Sequence, residues 1–151
     1  MKPSITIDMK EIAAALKNIN IGEPELMHLK GAGELVLVNG MRTRVAVDTS
    51  ATKNSIMGHV IESGDTKVVD DVGPETAQSI WLEYGTGIHA EKGNGRKTPW
   101  VYKNPKSGKF VWTQGMRAQP FIRPTVEEDG DKVNSAISAS FKQLVESRWA
   151  K

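Results

Sequence analysis

Ile80-Trp81-Leu82-Glu83-Tyr84-Gly85-Thr86-Gly87 and, further on, Gln119-Pro120-Phe121-Ile122-Arg123-Pro124 bracket the stretch whose reading decides the fold. Between them lies a glycine-broken arm, residues 86–119, that carries Trp100, Tyr102 and Trp112. An aromatic excursion of this size does not readily bury itself in one small domain, so it reads as surface made to meet something else. From Ile88 to Trp112, six cations (Lys92, Arg96, Lys97, Lys103, Lys106 and Lys109) stand against Glu91 alone, a net +5. The whole chain carries +2, which leaves −3 on the remainder.

Within the arm, Gly87 to Thr98 is rich in glycine and charge, and a mobile segment is expected there. Pro99 to Lys103 and Lys109 to Thr113 read as short aromatic strands joined by the turn Asn104-Pro105-Lys106-Ser107-Gly108. Upstream, Gly73-Pro74-Glu75 predicts a helix start with Pro74 in first position, and Gly85 a stop. Ala77, Ile80, Trp81 and Tyr84 then fall on one helical face. A strand over Ser79 to Tyr84 is the rival, and the signed ends favour the helix. Downstream, a last helix begins near Pro124 and runs toward Trp149. Thr125 and Glu128 have capping-box spacing, with Pro124 as first helical residue the alternative. Val133, Ile137, Ser140, Phe141 and Leu144 form its buried stripe.

Further out, Ser55 to Glu62 and Thr66 to Val72 predict a hairpin about the turn Ser63-Gly64-Asp65. Two helices precede it. Asp8 to Ile19 is capped by Asp8, with Met9, Ile12, Leu16 and Ile19 on one face. The second starts at Pro24, and Leu26, Leu29, Gly33, Val36 and Val45 follow helical spacing. Its run Leu35-Val36-Leu37-Val38 also has strand character. The fold class is therefore α+β in one domain over 1–151: a small antiparallel sheet packed against N-terminal and C-terminal helices, with a projecting basic aromatic hairpin.

Composition narrows the chemistry. The chain has 151 residues, the size of one domain, with 38% apolar residues and nine aromatic ones, so its core is mostly aliphatic. It contains no cysteine, which removes disulfides, thiolate nucleophiles and cysteine metal sites. The start shows no secretory h-region and no apolar run is long enough to span a membrane, so a protein of a reducing compartment is expected.

Motif look-alikes fail on context. Gly85-Thr86-Gly87-Ile88-His89-Ala90 has dinucleotide-fingerprint spacing, yet Glu91-Lys92-Gly93-Asn94-Gly95 is a poor helix start and no acid sits about 20 positions on. Gly95-Arg96-Lys97-Thr98 puts arginine where a phosphate loop needs lysine. His28, His59 and His89 form no i, i+4 pair. Glu127, Glu128, Asp129 and Asp131 gather at a helix start, where negative side chains offset the dipole. Asp70-Asp71 ends a strand beside a turn. No nucleophile has a recognisable base, so no catalytic, cofactor or metal residue is assigned and the reading is non-enzymatic.

The arm leaves three readings. In self-assembly, Lys92, Arg96, Lys97, Trp100, Tyr102, Lys103, Lys109 and Trp112 meet the acidic body of another copy. In nucleic-acid binding, lysines meet phosphates and rings meet bases. In the third, the lysines only keep a hairpin soluble. The enrichment of aromatics in partner-contacting surfaces favours the first.

Three blocks, taken together, resemble a tail-component family of tailed bacteriophages. Val47-Asp48-Thr49-Ser50-Ala51-Thr52-Lys53-Asn54-Ser55-Ile56 is similar to its "P-V-D-T-G-x-L-R-x-S-I" segment. Leu82-Glu83-Tyr84-Gly85-Thr86-Gly87 is similar to its "V-E-F-G-T", and Ala118-Gln119-Pro120-Phe121-Ile122-Arg123-Pro124 to its "A-Q-P-F-L-R-P-A". Order and spacing match over nearly the whole chain. The resemblance implies a head–tail joining, neck or tail-completion protein: a virion component without catalytic activity or cofactor, assembled in the host cytoplasm. It implies a ring of about six copies, a tail tube protein and a head-side connector as partners, and genome DNA passing through the lumen. It places Asp48, Thr49, Glu83, Tyr84, Gly85, Thr86, Pro120, Phe121, Arg123 and Pro124 in fold or contact roles. Ser50 departs from the family's glycine, so a positive φ there would carry a conformational cost. Thr125 replaces the family's alanine.

Overall fold

The structure, a computed structural model, describes residues 21–46 and 50–149. The helix expected over Asp8 to Ile19, and the pair Asp48-Thr49, lie outside them. The first described element is α1, Glu23–Arg44, with Pro24 in its first turn and Glu25 reaching back to the Gly22 N–H at 2.9 Å. The run 35–38 is helical, without strand character. A short turn of helix α2, Ala51–Asn54, leads into β1, Ile56–Gly64, which pairs antiparallel with β2, Lys67–Pro74. Helix α3, Gln78–Tyr84, and a 3-10 turn, Gly87–His89, precede the second antiparallel ribbon, β3 (Trp100–Lys103) with β4 (Phe110–Thr113). Helix α4, Ile122–Trp149, is the last described element. The class is α+β, with two small antiparallel ribbons between N-terminal and C-terminal helices.

Helix α1 is the centre of the body. It packs on α4 along one side and on the β1–β2 ribbon along another. Two covered sides explain why its apolar residues spread beyond a single stripe: Gly33, Val38 and Met41 are all buried. On the α4 side, a Cβ at Gly40 would meet Asp129 Oδ2 at 2.5 Å and Thr125 Cγ2 at 2.8 Å, so the helices approach as closely as they do only because that position lacks one. Arg44 crosses the seam, donating to Asp129 Oδ2 (2.6 Å) and Glu128 (2.8 Å), while Lys132 donates to the other Asp129 oxygen. Arg148 ties the far end of α4 to Glu25. On the ribbon side, Ile56 is fully buried and Arg42 donates to its carbonyl at 2.9 Å. Val38, Met41, Val45, Ile56 and Phe121 form the core, an aliphatic set with one ring.

Several expectations change. The first hairpin turns at Asp65-Thr66 rather than at Ser63-Gly64-Asp65, and Ile61 forms a bulge opposite no partner. Asp70 and Asp71 do not end a strand. They lie within β2, where Asp70 points inward to within 3.4 Å of the Lys30 ammonium and Asp71 points outward. Pro74 ends β2, and α3 starts four residues later. The buried face of α3 is Ser79 and Glu83, while Ile80, Trp81 and Tyr84 are exposed. Asp129, expected to serve only the α4 dipole, is buried between two cations. The Arg44 guanidinium, then the Lys132 ammonium, hold its carboxyl below the usual range. Ser50 takes a left-handed backbone, φ 62°.

Candidate interaction surface

Glu83 sets the geometry of everything around the arm. Its side chain is 2% exposed, and burial alone would raise its pKa. Hydrogen bonds from the Ile122, Phe121 and Arg123 backbone N–H groups and the Arg123 side chain outweigh that, and the carboxyl is held below its ordinary value. Oε2 accepts from Phe121 N (2.8 Å) and Ile122 N (2.9 Å), and Oε1 from Arg123 N (3.1 Å) and Nε (2.9 Å). These backbone groups are the unpaired donors at the start of α4. The cap of the last helix is therefore a residue 39 positions upstream, not Thr125. The Thr125 hydroxyl is buried and donates to the Phe121 carbonyl at 2.6 Å. Helix α4 begins at Ile122, so Pro124 sits in its first turn but not at its first position.

Arg123 extends the node outward. It also donates to the Glu83 carbonyl and, at 2.9 Å, to Glu91 at the base of the arm. Its guanidinium lies 5.0 Å from the Tyr84 ring centre, and Lys92 lies 5.6 Å from the same ring. The blocks Glu83-Tyr84-Gly85-Thr86 and Pro120-Phe121-Ile122-Arg123-Pro124 thus meet as one unit, with Phe121 fully buried beneath it.

The same unit roots the arm. Thr86 N donates to Met116 O (2.8 Å), Ile88 N to Gln114 O (3.0 Å), and Gln119 N to Leu82 O (2.7 Å). The two limbs cross so tightly that a Cβ on Gly87 would lie 2.0 Å from Gln114 O, and one on Gly115 2.0 Å from Thr86 O. Both glycines have positive φ, 62° and 120°. The segment 87–98, expected to be mobile, carries a 3-10 turn and local hydrogen bonds such as Gly93 N to Ala90 O.

Beyond the root, β3–β4 stands off the body and, among the described residues, packs substantially on no other helix or strand. Asn104 shapes its tip by accepting from Lys106 N and Ser107 N, and Gly108 takes a positive φ of 68°. Alternation along the strands gives two faces. Trp100, Tyr102, Val111 and Thr113 face back toward α3, across a cleft of about 460 Å³ that Trp81 and Met116 also line. Val101, Lys103, Phe110 and Trp112 share the other face, with Phe110 75%, Trp112 62% and Val101 57% exposed.

Of the sequence-assigned arm residues, the structure therefore separates Trp100 and Tyr102 from Trp112. Three of the cations turn onto their own chain. Lys92 lies by Tyr84, Arg96 stacks 5.5 Å from the Trp100 ring and bonds Thr98, and Lys97 donates to Gly93 O. Lys103 and Lys109 remain exposed on the ribbon. The sequence reading missed Phe110 and Val101, which the period of two in 100–103 and 110–113 would have placed on one face with Trp112. The chain matches no protein-family model, no curated protein and no solved structure. Among the described residues, no three His, Asp or Glu side chains converge as metal ligands, and no helix is long and apolar enough to cross a membrane.

Proposed function

We propose that this chain is a non-enzymatic virion component that joins or completes the head-proximal end of a bacteriophage tail. In this reading it acts as a ring of like subunits that touches the tail tube protein on one side and a head-side connector on the other. The observation that carries the reading is the Glu83 node. Two of the three blocks on which the family resemblance rests form one continuous chain of bonds, from the α4 N-terminus through Arg123 to the root of the hairpin. That arrangement uses its buried polar groups to hold an exposed apolar ribbon in a fixed pose, as an assembly subunit requires.

Nucleic-acid binding by the arm has less support. A strand-tracking groove runs several cations alongside free rings, whereas Arg96 occupies the Trp100 face, Lys92 and Lys97 are engaged locally, and the outer face of the ribbon offers Lys103 alone among its strand residues.

The test is made in particles. The proposed role expects the chain in purified tailed particles at a fixed ratio to the tube protein. It expects loss of joined particles when the gene is deleted, and no rescue by a chain whose residues 101–111 are replaced by a short Gly-Ser turn. Full rescue by that chain, or joined particles that lack the protein, would overturn the proposal.

A further inference from the structure

Among the described residues, each of the two ribbons leaves one face bare, and the two bare faces carry opposite charge. On β1–β2, helix α1 covers the face that holds Ile56, Gly58 and Asp70. The opposite face presents Met57, His59, Ile61 and Asp71, with Glu75 bonded to His59 at 2.9 Å. Ile61 is 68% exposed and stands on the bulge without a cross-strand partner. Residues 56–75 hold five carboxylates against Lys67, a net −4, and of these Asp70 alone is turned inward onto a lysine. On β3–β4 the bare face is Val101, Lys103, Phe110 and Trp112, within the segment 88–112 that carries +5.

We infer that the outer face of β3–β4 in one copy seats on the outer face of β1–β2 in the next. This deepens the ring-type assembly proposed above and rests on it. Two twisted ribbons stack face to face with their side chains interdigitated, here Phe110 and Trp112 against Met57 and Ile61. Lys103 and Lys109 then oppose Asp71 and Glu75, which sets which face accepts which and disfavours arm-to-arm contact. Because the two surfaces differ, the contact is head-to-tail. It leaves one unused face at each end and propagates until it closes. Two short ribbons bury less than the roughly 800 Å² per partner of a standard stable interface, so a single contact is weak and closure of the ring supplies the stability.

The absence of cysteine makes the test clean. Ile61→Cys and Trp112→Cys, both at exposed positions, are prepared as separate chains, checked for unchanged circular dichroism, mixed over a concentration series and joined with a short bis-maleimide. The mixed dimer is expected in excess over either same-site dimer, and a chain with both changes is expected to give a ladder of oligomers. Adding Asp71→Lys to the Ile61→Cys chain is expected to lower the mixed product several-fold. Adding Lys103→Glu to its Trp112→Cys partner is expected to restore it. Excess arm-to-arm product, linkage only within one chain, or no mixed product at any concentration, as when the face belongs to another protein or to nucleic acid, overturns the inference. Cross-linking failure with the chain present in joined particles removes this contact and leaves the tail role standing. Efficient cross-linking of a chain absent from particles does the reverse.

Discussion

The β1–β2 and β3–β4 ribbons have the same local construction and opposite packing. Both are antiparallel pairs of neighbouring strands, joined by Asp65-Thr66 in the first and by residues 104–109 in the second. The first lies against α1 and contributes Ile56, fully buried, to the core. The second packs substantially on no other described element, yet it carries larger side chains. Isolated two-stranded ribbons are at best marginal in water, so β3–β4 must take its order from its ends. Those ends are the Gly87–Gly115 crossing and the Glu83–Arg123–Glu91 chain of bonds. Stability therefore resides in the α1 core and the Glu83 node, and the arm depends on both without adding much to either. This division predicts that substitutions sort by region rather than by side-chain size.

The strongest way to break the contrast is Phe121→Ala. Phe121 is 0% exposed and supplies the only ring in the core cluster of the described residues. Its loss leaves a cavity beneath the Glu83 node, so the body is expected to lose about 4 kcal/mol, measured by urea unfolding. A loss no larger than that of an exposed aromatic would mean that the core does not reach the root of the arm.

Glu83→Gln is expected to cost somewhat less, roughly 3 kcal/mol, because an amide N–H₂ must then face backbone N–H groups that now have an acceptor. The pH dependence is the sharper reading. The native carboxyl titrates below its ordinary value, so the unfolded chain takes up the proton first as pH falls. The contribution is fully present above the unfolded pKa of roughly 4.3 and is lost as pH drops through the lower folded value. The gap in stability between native chain and variant should thus be constant near neutrality and shrink under acid conditions. A gap that stays constant down to acid unfolding would show that the carboxylate charge is not what holds the helix start.

Legibility in the sequence tracks the range of the interactions. The α1 start at Pro24, the two ribbons, the Asn104–Gly108 turn and the Gly85 stop are set by neighbours in sequence, and local chemistry placed them within a few residues. The buried side of α3 was not legible, because Ile80, Trp81 and Tyr84 have helical spacing yet are exposed, and Glu83 does not look like a core residue. Only the unpaired N–H groups of a helix 39 residues downstream make a buried carboxylate favourable there. Asp129 was misread for the same reason, since its partner Arg44 lies 85 residues away. The arm was legible as a site by composition, but its two faces were not separated, although strand alternation in 100–103 and 110–113 sufficed to join Val101 and Phe110 to Trp112.

The smallest expected effect is the most telling about the arm. Phe110→Ser and Trp112→Ser remove two of the largest side chains on the molecule, both mostly exposed. An exposed aromatic contributes little apolar burial on folding, and its loss at a two-stranded edge removes only part of a cross-strand contact. Each change should shift monomer stability by no more than about 0.5 kcal/mol, far below the effect of Phe121→Ala in the same denaturation assay. If the rings were structural, their removal would loosen the ribbon and lower stability along with the Glu83 variant. If they are held out as contact surface, stability stays where it was while self-association falls, because the apolar area that a neighbouring copy would cover has gone. Stability and association moving together would place β3–β4 with β1–β2 as part of the fold; their separation places it apart.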